Sequence, residues 1–332
     1  MKPPKTLQEA IVYFSDPQRA FDYAVKLRWP NGKIVCPRCD SDSNYFIKTR
    51  RLWLCRGCDK QFTVKVGTIF EDSPLGLDKW MTAFWMIVNA RNGVSSCEIG
   101  RSLGITQKSA WFMLHRIRRA MQSGTFVKLG GPGSEIEVDE TFIGGKARNM
   151  HKSKKVGKGY RQRGIINKTV VMGMLERGGK VSACVIPERT DAILQGRIRA
   201  SVDKGSLVYT DEWRSYMGLA DEYVHQVINH AEKYVDGRVH TNGLENFWSL
   251  LKRGLGGTYV SVEPFHLYRY LDEQMFRYNN RKDGDHKVTD SERFALAMSQ
   301  VAGKRLTYSQ LTGKDQSPRY ESTGTGETQE PF

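Results

Sequence analysis

Two cysteine pairs constrain this chain more than any other feature: Cys36-Pro-Arg-Cys39 and Cys55-Arg-Gly-Cys58, with fifteen residues between them. Each pair sets two sulfurs on one tight knuckle, and two knuckles at this spacing read as a tetrahedral zinc site. Cytosolic thiols stay reduced, so metal binding is the expected chemistry and not disulfide formation. The intervening Tyr45-Phe46-Ile47 and Leu52-Trp53-Leu54 suit short strands. They are too few to build a core alone, so the metal must supply folding energy. Residues 31–70 are therefore expected to form a zinc ribbon holding a structural Zn²⁺ on Cys36, Cys39, Cys55 and Cys58. Cys97 and Cys184 lie in apolar sequence and read as buried small hydrophobes.

Helical patterns flank the ribbon. In residues 1–30, Leu7, Ala10, Ile11 and Phe14 recur at helix spacing, and Ala20, Tyr23, Ala24 and Leu27 repeat the pattern after a break at Asp16-Pro17. In residues 78–123, Trp80, Ala83, Phe84, Ile87 and Val88 form one apolar face. Ser95, with Glu98 three residues on, caps a short helix that ends at Gly104, and Thr106 caps a longer basic one. Short helix, glycine turn and basic helix fit a helix-turn-helix, whose second helix enters the DNA major groove. Gln107, Lys108 and Ser109 would then face the bases, with Arg116 further along the same helix. An ordinary helical hairpin has the same pattern.

The chain carries 51 Lys+Arg against 36 Asp+Glu, a formal charge of +15. Such an excess predicts a polyanionic partner, nucleic acid or an anionic membrane. No apolar run has the length of a membrane span and no signal-peptide pattern opens the chain, which predicts a cytoplasmic, nucleoid-associated protein with no membrane partner.

A glycine-rich linker around Thr125–Ser134 precedes a change to strand patterns. Strands are expected near 136–143, 169–176, 180–186 and 206–211, with helices near 189–203 and 263–281. This order suits a mixed sheet flanked by helices over residues 134–285, the RNase H-like arrangement, giving an α+β multidomain chain. The last residues, 313–332, have the composition of a disordered tail.

Three acidic residues fall where this sheet would bring them together. Alternation places Glu137, Asp139 and Thr141 on one strand face and Ile136, Val138 and Glu140 on the other. Asp211 ends a later strand, where sheets of this kind bind ligands. On the helix after Asn242, Leu244, Phe247, Trp248 and Leu251 form the core stripe, with Glu245 and Lys252 on one flank of it. Two Asp and a Glu can hold two Mg²⁺ ions, the arrangement that cuts and joins phosphodiesters. The segment 146–163 adds eight Lys or Arg, among them Lys152, Lys154, Lys155 and Lys158, suited to gripping a phosphate backbone.

At Val138-Asp-Glu-Thr-Phe-Ile-Gly-Gly145, Tyr209-Thr-Asp-Glu-Trp213 and His240-Thr-Asn-Gly-Leu-Glu-Asn-Phe-Trp-Ser-Leu-Leu-Lys-Arg-Gly254, together with the cysteine knuckles, the chain resembles bacterial insertion-sequence transposases of the DDE superfamily. The resemblance is to the ISXO-like branch with an N-terminal zinc ribbon and covers roughly residues 20–285. It implies two catalytic Mg²⁺ or Mn²⁺ ions held by Asp139, Asp211 and Glu245, with Lys252 as the trailing lysine. It further implies DNA partners, the element's terminal inverted repeats and target DNA, and a homo-oligomer, at least a dimer, when active. Some members use Asn at the third position, and Asn242 and Asn246 flank Glu245 here; the helical stripe favours Glu245. A DNA-binding regulator with an inert sheet domain, and an RNase H-like nuclease without strand transfer, are the competing readings. The ribbon itself suits a DNA or a protein contact equally.

Overall fold

Aromatic side chains organise the N-terminal part of the chain. The computed structural model describes residues 3–122, 128–145, 168–210, 214–227 and 240–314. Helices α1 (Leu7–Phe14) and α2 (Pro17–Arg28) meet at the break seen in the sequence. There Asp16 accepts a hydrogen bond from the Gln18 amide at 2.8 Å and Pro17 takes the first helical position, where its missing N–H costs nothing. Strands β1 (Asn44–Ile47), β2 (Leu52–Cys55) and β3 (Gln61–Phe62) form an antiparallel ribbon in which Phe46, Trp53 and Phe62 are in register on one face. Phe21 of α2 stacks on Trp53 at 5.8 Å between ring centroids, and Trp53 on Phe62 at 5.7 Å. The ribbon's apolar face is thus covered by α2.

Helices α3 (Leu77–Asn89), α4 (Ser96–Leu103) and α5 (Gln107–Met121) follow. Ser95 Oγ accepts from the Glu98 amide at 3.1 Å and Thr106 Oγ1 from the Ser109 amide at 3.2 Å, so both expected caps form. Gly104 turns the chain between α4 and α5 at φ +60°, a left-handed conformation that other residues adopt at a cost. Cys97 departs from expectation: it is exposed, on the outer side of a two-turn helix that buries Ile99 and Gly100 instead.

The second unit, whose described residues lie between Lys128 and Asn279, has an RNase H-like core. Strands β4 (Leu129–Gly130), β5 (Glu135–Ile143), β6 (Thr169–Glu176) and β7 (Val181–Ile186) lead to helix α6 (Asp191–Ser201). Then come β8 (Val202–Asp203), β9 (Leu207–Thr210), β10 (Val224–Val227), α7 (Asn242–Arg253) and α8 (Leu267–Asn279). Five strands make one sheet in the order β10-β9-β5-β6-β7. The β5-β6-β7 meander is antiparallel, and β9 and β10 add to it in parallel. Ile136, Val138, Met172, Met174, Cys184 and Ile186 pack on one side against Leu194 and Ile198 of α6. Val171, Leu175, Val181 and Ala183 pack on the other against Leu244, Phe247, Trp248 and Leu251 of α7 and Leu267 and Leu271 of α8. Two facing layers explain why β6 reads as a nearly continuous apolar run.

The chain then returns to the first unit, which joins Met1–Gly124 to Asn280–Arg319. Helices α9 (Asp290–Ser299) and α10 (Tyr308–Leu311) each open with a complete capping box, Thr289 with Glu292 and Thr307 with Gln310. Phe294 of α9 lies 5.5 Å from Phe14, 5.7 Å from Tyr23 and 5.1 Å from Trp85 between ring centroids. Lys304 Nζ donates to the Ala120 carbonyl at the end of α5 at 3.0 Å. Among the described residues no helix is long and apolar enough to cross a membrane.

Candidate active site and metal centre

The four knuckle cysteines converge, their sulfurs all within 4.8 Å of one another. Sγ of Cys36 and Cys58 are 3.9 Å apart and those of Cys39 and Cys55 3.5 Å. A tetrahedron of zinc–sulfur bonds has edges of roughly 3.8 Å, so the cluster fits one Zn²⁺. The Gly57 amide donates to Cys55 Sγ at 3.3 Å, as a knuckle requires. Burial pushes the Cys55 thiol up, but the amides of Gly57 and Cys58 and the neighbouring thiols outweigh it and bring it down to about 7.

In the second unit, Asp139 lies in the centre of the sheet on β5, opposite Gly173 of β6. It faces α7: Trp248 Nε1 donates to Asp139 Oδ2 at 2.9 Å. One strand step back, Glu137 accepts from the Leu244 amide at 3.0 Å. The helix advances four residues, about 6 Å, between these two contacts, and the strand two residues, about 6.6 Å. Helix and strand therefore run parallel and in step. Gly173 permits this, because a Cβ there would stand 2.5 Å from the Trp248 ring. Gly243 does the same for the helix start, where a Cβ would stand 2.4 Å from Leu175 and 2.8 Å from Glu137 Oε2.

Glu245 and Lys252 are exposed on α7, and Asn242 and Asn246 are exposed as well. At 3.6 residues per turn, Glu245 and Trp248 are about 60° apart around the helix. Trp248 is thus the core side chain nearest the Glu245–Lys252 flank, and it is the one that reaches Asp139. Glu140 points to the opposite sheet face, as alternation requires, where it takes hydrogen bonds from Arg189 at 2.8 Å and from Tyr216. Asp211 lies outside the described residues, as do Lys152, Lys154, Lys155 and Lys158. The residue before Asp211, Thr210, ends β9 with its hydroxyl 2.9 Å from His225 Nε2, and burial pushes the His225 pKa down.

On the α4–α5 pair, Gln107 and Lys108 are exposed and Ser109 half-buried at the start of α5. Gln107 Nε2 donates to Ser96 Oγ at 2.8 Å, tying the two helices together, and the Lys108 ammonium lies 4.9 Å from the Tyr308 ring centroid. Arg116 corrects the sequence expectation. It is 4% exposed, donates to the Glu71 carbonyl and packs over the rings of Phe112 and Trp80. Burial, opposed by Asp72 and Glu71, lowers its pKa to about 10. A guanidinium so engaged holds the fold and presents nothing to DNA.

Sequence reasoning missed two contacts around Asp139: Trp248 as its hydrogen-bond partner, and Arg177, which donates to Glu137 at 3.0 Å. Only the placement of Glu137 beside Asp139 hinted at them.

Strand order, helical layers and a cysteine cluster define a zinc-ribbon protein with an RNase H-like domain. Residues 128–279 match the ISXO2-like transposase domain and residues 15–61 the transposase zinc-ribbon domain. An uncharacterized protein in transposable element ISH50 of Halobacterium salinarum is 30% identical over 257 residues, 73% of this chain and 84% of that protein. An uncharacterized transposase-like protein of Haemophilus influenzae is 37% identical over 102 residues, 30% of this chain and 82% of that protein. The chain belongs to the ISXO2-like transposases that carry an N-terminal zinc ribbon.

Proposed function

We propose that this transposase cuts and joins DNA at a DDE-type site made of Asp139, Asp211 and Glu245, with Lys252 holding a phosphate. The observation that carries the reading is the coupling of Asp139 to α7 through Trp248, which puts a central strand carboxylate beside the helix bearing Glu245. Carboxylates of this kind fit hard divalent cations, Mg²⁺ or Mn²⁺. Bound there, such ions would supply activation of the attacking oxygen and stabilisation of the leaving one. The chain's own part is to fix the ligands. Trp248 occupies one oxygen of Asp139 and so orients the carboxylate. The exposed Lys252, two turns beyond Glu245, is placed to hold the DNA backbone.

Recognition of the terminal inverted repeats falls to the helix-turn-helix, with Gln107, Lys108 and Ser109 at its reading end. The basic segment 146–163 adds sequence-independent grip. The ribbon carries a structural Zn²⁺. Two element ends must be handled together, so the active species is a dimer or larger.

Asp139→Asn is expected to abolish Mg²⁺- or Mn²⁺-dependent cleavage and joining of DNA carrying the element's own terminal repeats, and to leave binding of that DNA intact. Nicking that persists in the purified variant would sink the assignment. Specific binding by the wild type with neither cleavage nor joining favours a regulator, and cleavage without joining a nuclease.

A further inference from the structure

We propose that Arg177 and Glu137 form a positioning hub that sets the three carboxylate-bearing elements of the site in register. The inference rests on the DDE reading above. Arg177 stands in the turn between β6 and β7, where its amide donates to the Glu135 carbonyl at 2.9 Å. Its guanidinium reaches every element that supports an acidic position. On β5 it donates to Glu137 at 3.0 Å and to Glu135 at 2.6 Å. On β9 it lies over the Tyr209 ring, 4.3 Å from the centroid. Ahead of α7 it donates to the His240 carbonyl at 2.6 Å, with His240 Nδ1 at 3.1 Å. Glu137 is two residues before Asp139, Tyr209 two before Asp211, and His240 five before Glu245. One side chain therefore touches the support behind each member of the triad.

Glu137 completes the device. Helix α7 has no side-chain cap of its own, since Thr241 makes no capping hydrogen bond. The Glu137 carboxylate, 1% exposed, takes the Leu244 amide instead, an N-cap supplied from the sheet. Its charge also suits the positive end of the helix dipole. Buried beneath α7 and bound to Arg177 and Leu244, it is a positioning residue; Asp139, one strand step further, is the ligand. Only a planar fork can serve β5 and His240 together, so lysine cannot replace Arg177.

The test uses full-length protein labelled with 5-fluorotryptophan, the Trp248 ¹⁹F signal being assigned with Trp248→Phe. Mn²⁺ broadens this signal when bound beside Asp139, which gives a metal affinity independent of activity. Arg177→Lys and Glu137→Ala are expected to shift the Trp248 signal and to raise the Mn²⁺ needed for broadening and for cleavage by about ten- to a hundredfold, the usual effect of losing a group that orients metal ligands. DNA affinity should be unchanged. Glu137→Gln keeps an oxygen for the Leu244 amide and should recover part of both effects. Folded Arg177→Lys and Glu137→Ala proteins with the wild-type Trp248 signal and Mn²⁺ requirement would overturn the hub. So would a Glu137→Gln protein as inert as Asp139→Asn at every Mn²⁺ concentration, because Glu137 would then be a ligand itself. A wild type that neither binds Mn²⁺ near Trp248 nor cleaves DNA would sink the DDE reading instead, and the Trp248 shift would still decide the hub.

Discussion

At the scale of single residues, the site depends on where side chains are missing as much as on where they are present. Gly173 lies opposite Asp139 and leaves the notch that the Trp248 ring fills. In Gly173→Ala the new methyl would stand 2.5 and 2.7 Å from two ring carbons, so the indole must move and its hydrogen bond to Asp139 must lengthen or break. Overpacking of this kind costs about 1–3 kcal/mol. The variant should unfold at a lower temperature and cleave DNA poorly while binding it normally. Wild-type cleavage by a folded Gly173→Ala protein would show that Trp248 does not orient Asp139. The role of Asp139 as a candidate was legible from strand alternation, which also separated it from Glu140. That of Trp248 was not. Its position in the apolar stripe marked it as core, and only the register of α7 against β5 gives its indole nitrogen a second task.

Among the elements, those with strong local signals match the sequence reading closely. The caps of α4 and α5 and the turn at Gly104 follow from short-range chemistry, and so do the knuckles of the ribbon. Strand β10 had no such signal: Val224-His-Gln-Val227 is four residues long, with Val224 and Gln226 exposed, and it becomes a strand by pairing with β9. Helix α5 shows the limit of reading one element alone. Its basic residues look alike in sequence, yet they divide between two tasks. Lys108 is exposed at the helix start, whereas Arg116 is folded in against Glu71, Trp80 and Phe112. Lys108→Ala should weaken DNA binding and reduce the salt dependence of log K by about 0.9, with thermal stability lowered only slightly, by loss of the contact with Tyr308. Arg116→Ala should do the reverse, lowering the melting temperature and leaving the salt dependence alone. Titrations of terminal-repeat DNA at several salt concentrations, beside melting curves, separate the two. An unchanged salt slope in Lys108→Ala would remove this helix start from the DNA interface.

For the whole molecule, the decisive feature is that the first unit is not continuous in sequence. It begins with α1, is interrupted by residues 125–279, and is completed by a segment whose described part runs from Asn280 to Lys314. Local patterns could not show this, because the contacts concerned join residues about two hundred or more positions apart. Arg293 donates to Asn89 at 2.8 Å, Gly303 to the Gly67 carbonyl at 2.9 Å, and Phe294 fills the space between Phe14, Tyr23, Phe84 and Trp85. Phe294 is 1% exposed, and removing such a side chain costs about 3–5 kcal/mol. A chain truncated after Asn279 loses α9 and α10 entirely but keeps every described element of the second unit. Calorimetry should then show the loss or marked lowering of the transition that responds to zinc chelation, because the ribbon's apolar face rests on α2 and α2 in turn on Phe294 through Tyr23. The transition insensitive to chelation should persist. A truncated chain whose zinc-dependent transition stays at the full-length temperature would show that the first unit is complete without its C-terminal return.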